Sequence, residues 1–133
     1  LWVVIALLAS PLLVAPPLIR GLAADAWVAH YASLPTLPRP RKAAARHLAL
    51  KTDLAVANLA PLPQASTAAL RALEIGRRLE LQEHDLEAAL VIYQGVRAAC
   101  ARVRERPLAG PGFAVIEARA ATLLASVEAG KKT

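Results

Sequence analysis

The first nineteen positions, Leu1 to Ile19, are uncharged, and the first charged residue is Arg20. A helix rises ~1.5 Å per residue, so this run spans roughly 28 Å, close to the ~30 Å hydrocarbon thickness of a bilayer. The pattern predicts an N-terminal transmembrane helix over residues 1–19. Pro11 should kink it and Pro16-Pro17 should end it, because proline removes a backbone donor and disfavours helix in the residue before it. A cleavable signal peptide and a proline-bent helix buried in a core are competing readings of the same run.

Residues 20–42 read as an interfacial segment followed by a proline-rich spacer. Trp27 and Tyr31 are four apart, so one helical turn places both on one face, and such amphipathic rings favour a membrane interface; Trp2 is a third candidate contact. Pro35, Pro38 and Pro40 then stiffen the chain toward an extended connection. Arg39, Arg41, Lys42, Arg46 and Lys51 form a basic cluster with no acid between Asp25 and Asp53. The cluster suits anionic headgroups or an acidic partner surface, and equally a solvated helix start.

Residues 43–133 are predicted to form a small antiparallel helical domain. A first helix starts after Pro40, with Leu50, Leu54 and Ala57 at helical spacing, and stops before Pro61 and Pro63. Ser66 or Thr67 can cap a second, Ala68 to Glu83, whose buried stripe reads as Leu70, Leu73, either Gly76 or Arg77, and Leu81. Asp85 caps a third, Leu86 to Arg104, whose stripe is Leu86, Leu90, Tyr93, Val96, Cys100 and Val103. A fourth, Phe113 to about Ala129, carries Ile116, Ala120, Leu123, Leu124 and Val127, with Gly130 as its C-cap. The expected fold class is all-α.

The stretch "LEIGRRLELQEHDLEAALVIYQGVRAA", Leu73 to Ala99, resembles a single tetratricopeptide-type helical hairpin. On that resemblance Gly76 and Ala89 take the small positions of the two helices, Asp85 lies in the turn, and Tyr93 takes the large packing position. The family stacks such hairpins into a concave surface that binds other proteins, which makes Tyr93 a further candidate for partner contact.

Composition supports helices, since Ala, Leu, Arg and Glu dominate past Ala43 and aromatics are only 4%. The net charge of +6 raises nucleic acid as a partner, but no stacking aromatics accompany Arg97, Arg102, Arg104 and Arg106, so none is expected. One cysteine, Cys100, allows no intrachain disulfide and reads as a small core residue. His30, His47 and His84 lack metal-ligand spacing, and Glu80, Glu83, Asp85 and Glu87 read as solvated capping acids. "AGPG" has no following lysine to make a phosphate loop.

No catalytic residue, cofactor or metal is therefore expected. The functional expectation is a membrane-anchored accessory, assembly or scaffolding subunit of a larger membrane complex, in contact with lipid and with other subunits. Basic residues preceding the apolar run would place the helical body on the extracytoplasmic, periplasmic side. The alternative is a soluble or secreted all-helical binding module for a small apolar ligand or a protein.

Overall fold

A computed structural model of the chain describes the backbone of residues 2–106, 110 and 112–132, and the side chains of 16–106, 110 and 112–130. Within these residues the chain is all-α, with α1 (Trp2–Ser33), α2 (Arg41–Leu59), α3 (Pro63–Leu81), α4 (Leu86–Arg104) and α5 (Gly112–Lys132). Each helix packs on the next in sequence, and α1 also meets α3, α2 meets α4 and α3 meets α5. No described contact joins helices further apart, so the five form an open layered array, compatible with a helical-repeat-like arrangement.

The helix boundaries follow local chemistry. Asp85 accepts a hydrogen bond from the Ala88 amide at 3.1 Å, the expected cap, and α4 runs from Leu86 to Arg104. The turn before it is closed by the Asp85 amide donating to the Leu79 carbonyl at 2.9 Å, with His84 in the left-handed region at φ 54°. That conformation is uncommon outside glycine, although histidine is among the residues enriched there. The start of α3 lies five residues before the expected Ala68, because Pro63 at the first turn already has a helical φ and its missing amide proton is an orphan there anyway. Thr67 does not cap; its hydroxyl donates back to the Pro63 carbonyl at 3.1 Å. Gly130 does not end α5, which continues to Lys132.

The expected N-terminal transmembrane helix over 1–19 is not supported: among the described residues no helix is long and apolar enough to cross a membrane. This argues against a single-pass placement. The segment instead belongs to a helix of 32 residues that passes through Pro16-Pro17, whose fixed φ is helical, and through the charged Arg20 and Asp25. Its second half is built into the array. Ala24, Val28 and Tyr31 are buried, Asp25 pairs with Arg71 of α3 at 3.6 Å, and a Cβ on Gly21 would stand 2.7 Å from Leu59 Cγ of α2. Beyond Ser33, Leu37 is buried, so the proline-rich connection to α2 covers the core.

That core is made of small side chains. Of the 31 buried apolar residues described, 13 are alanine, which lets neighbouring helix axes lie close. A large side chain fills the space left by a glycine between α3 and α4, where a Cβ on Gly76 would stand 2.5 Å from Cε1 of Tyr93. Tyr93 cannot yield easily, because it is fully buried and its hydroxyl donates to Glu80 at 2.9 Å. Gly76→Ala is therefore expected to lower stability by about 1–3 kcal/mol in urea unfolding followed by circular dichroism. Gly130→Ala, with no neighbouring atom within 4 Å of the added Cβ, should move it by less than about 1 kcal/mol.

Candidate functional site

The outer face of α1 is apolar where a terminal helix is expected to be polar. Ile19, Leu22, Ala23, Ala26, Trp27 and His30 recur at intervals of three and four, so they line one side of the helix. All six are exposed, opposite the buried stripe of Gly21, Ala24, Val28 and Tyr31. Ile19 is 60% exposed and Trp27 43%, and Leu18 extends the face toward the N-terminus. Ala23, Ala26, Trp27 and His30 line an open groove of about 420 Å³.

Behind the groove stands a cluster of rings. Trp27 meets His47 of α2 edge-on, with centroids 5.0 Å apart and planes at 90°, and lies 5.8 Å from His30 and 5.9 Å from Tyr31. The Tyr31 hydroxyl and His47 Nδ1 share a hydrogen bond of 2.6 Å; with the proton of His47 on Nε2, the hydroxyl donates. Burial raises the Tyr31 hydroxyl above its ordinary pKa, so it remains a neutral donor rather than a phenolate. These contacts fix the indole between α1 and α2, so its exposed part is presented rigidly.

Among the other candidates, the side chain of Trp2 lies outside the described residues. Arg39 and Lys42 are exposed, while Arg41 pairs with Glu83 at 3.1 Å and so joins the start of α2 to the turn after α3. Tyr93 is fully buried against Gly76 and offers no surface to a partner. The structure thus brings Trp27 and Tyr31 together, and leaves Arg39, Lys42 and Tyr93 in separate surroundings. His47 and the stripe Ile19, Leu22, Ala23 and Ala26 were not expected to share a site with Trp27. The spacing was legible, and it was hidden only by ending the helix at Pro16-Pro17.

No group of three or more His, Cys, Asp or Glu side chains able to hold a metal ion occurs among the described residues. The thiol of Cys100 is pushed up from 9.0 to about 12, mainly by burial and then by Glu117. Burial also raises the Tyr93 hydroxyl, with its hydrogen bond to Glu80 adding to the effect. Groups with a raised folded pKa favour the folded state fully below their unfolded pKa, and that contribution declines as pH rises toward the folded value. The urea midpoint should therefore fall on going from about pH 9 to about pH 11, and fall less in Cys100→Ala. At about pH 8, Cys100 should resist a thiol reagent until urea unfolds the chain.

No family model, no curated protein and no solved structure matches the chain.

Proposed function

We propose that the chain is a non-catalytic helical scaffold, an accessory or assembly subunit that binds partner proteins within a larger complex. The observation that carries this reading is the apolar outer face of α1. Layered helical arrays need a polar face on their terminal helices to stay soluble, because each layer otherwise expects a neighbour. In α1 that face carries Leu18, Ile19, Leu22 and Trp27, all more than two-fifths exposed, and thus lacks its cap. A helix from a partner protein completes the array by laying its own apolar stripe along the groove, as in helix-in-groove recognition.

The α3–α4 pair is read within this proposal as a tetratricopeptide-type hairpin. Gly76 packed against Tyr93, Asp85 in the turn and the contacts limited to near neighbours support that reading. A small apolar ligand in the Trp27 groove is the second reading, favoured by its volume of about 420 Å³ and its largely apolar lining.

The test compares the native chain with the double variant Ile19→Glu, Leu22→Glu and with Val115→Glu, which alters an exposed apolar residue of α5. Native mass spectrometry of the chain isolated at its natural level should find a stoichiometric partner protein, lost from the double variant and kept by Val115→Glu. A chain isolated without a partner, or one whose partner survives the double variant, overturns the proposal. Quenching of Trp27 fluorescence by a titrated small alcohol, in a chain without a protein partner, would favour the second reading instead.

A further inference from the structure

The apolar groove of α1 lies in the basic part of the chain. Residues 1–52 carry six basic side chains against one acid, whereas residues 53–133 carry ten against nine, so almost all of the net charge of +6 belongs to the first part. Its one acid, Asp25, is paired with Arg71 on the side of α1 toward α3, and Arg41 is paired with Glu83. Arg20, Arg39, Lys42, Arg46 and Lys51 form no ion pair among the described residues. The other described pairs all lie further along the chain.

Two contacts place these cations relative to the groove. Trp27 meets the ring of His47, and a Cβ on Gly21 would stand 2.7 Å from Leu59 Cγ, so α1 and α2 run antiparallel side by side. Arg20 comes seven residues, about two turns, before Trp27 and shares its side of α1. Lys51 comes four residues after His47 and shares its side of α2, one turn nearer the level of Gly21. The edge of the groove along α2 therefore runs from Trp27 and His47 past Lys51 to Arg20 without an acid. Arg20 is exposed and Lys51 partly buried, and the exposed Lys42 and Arg46 continue the basic surface toward the start of α2.

The shape of the groove selects among anionic occupants. The small Ala23 and Ala26 lie beside the larger Trp27 and His30, which leaves a trough rather than a flat apolar patch. A trough receives the side-chain ridge of a helix, and a bilayer surface presents no such ridge. The stripe from Ile19 to His30 is about 16 Å long, room for about three helical turns.

We infer that the partner helix is acidic. It lays apolar residues at every third or fourth position in the trough and carries Asp or Glu on the flank that faces α2, opposite Lys51 and Arg20. This rests on the reading of α1 as a docking face and adds the sign of the charge. The unpaired cations supply what an apolar stripe lacks, discrimination among amphipathic helices, because a basic flank is repelled.

Two synthetic amphipathic peptides of about five turns test it, with the same leucine stripe and either glutamate or lysine along one flank. Each carries a dye, and its anisotropy is followed as the full chain is added. The glutamate peptide should bind about tenfold more tightly or better at low salt, the scale of a few surface ion pairs, and sodium chloride should shrink the difference. Arg20→Glu, Lys51→Glu with an unchanged circular dichroism spectrum should reverse the preference, which a structural defect would not do. Ile19→Glu, Leu22→Glu should lose both peptides. Equal binding of the two peptides, lost in that apolar-face variant, overturns the acidic partner and leaves the docking face standing, whereas binding of neither overturns both. A preference kept by the folded Arg20→Glu, Lys51→Glu chain overturns the inference too, as does displacement of the glutamate peptide by phosphatidylglycerol vesicles, which assigns the face to lipid.

Discussion

Close approach between helices is the constraint from which the rest of this structure follows. Where Gly76 faces Tyr93, the ring lies nearer the α3 backbone than any side chain at that position would allow, and a Cβ on Gly95 of α4 would stand 2.7 Å from the Ala49 Cβ of α2. The same economy of volume runs through the core in Ala45, Ala55, Ala65, Ala69, Ala89 and Ala99. Each of these buries little apolar area, so stability must come from dispersion between closely spaced backbones and from the larger Leu, Ile and Val residues between them. Such a core penalises added volume more than it does a lost methyl group.

Close packing alone leaves helices free to slide, and polar contacts from α3 fix their register. Arg71 reaches Asp25 of α1, Arg78 reaches the Leu34 carbonyl, and Glu83 receives Arg41. These three contacts tie α1, the connection after it and the start of α2 to α3 and the turn that follows it. Glu83 is almost fully buried at its side chain, so its charge depends on Arg41 rather than on water. On the other side, Asp53 with Arg102 and Glu117 with Arg104 tie α4 to α2 and α5. The basic character of the chain is therefore partly spent inside the fold.

The sequence was most legible where one local signal matched one packing face. In α4, Asp85 marked the start and Tyr93, Val96, Cys100 and Val103 proved buried as spaced. In α2 the leucine spacing does not mark the core face, because Leu50 is 55% exposed while Ala45, Leu48, Thr52, Ala55 and Val56 face inward. Alanine is the reason: it suits either face, so the periodicity rests on a few leucines that can point outward. The candidate site was obscured for a different reason. A long uncharged run fits a bilayer by length alone, and only the burial of Ala24 and Val28 against α2 and α3 identifies the second half of α1 as part of the array. The basic edge of the groove joins Arg20 of α1 to Lys51 of α2 across about thirty residues of sequence, which no local pattern encodes.

The restriction of contacts to first and second neighbours also bears on how the chain reaches this state. No described contact joins helices more than two places apart in sequence, so the segment that must close for any one contact is bounded by about two helices, and its closure entropy is bounded with it. Topologies of this kind have low contact order and belong among the faster folders. Each helix can settle on those made before it, and a nascent chain acquires its native neighbours in the order in which it is synthesised.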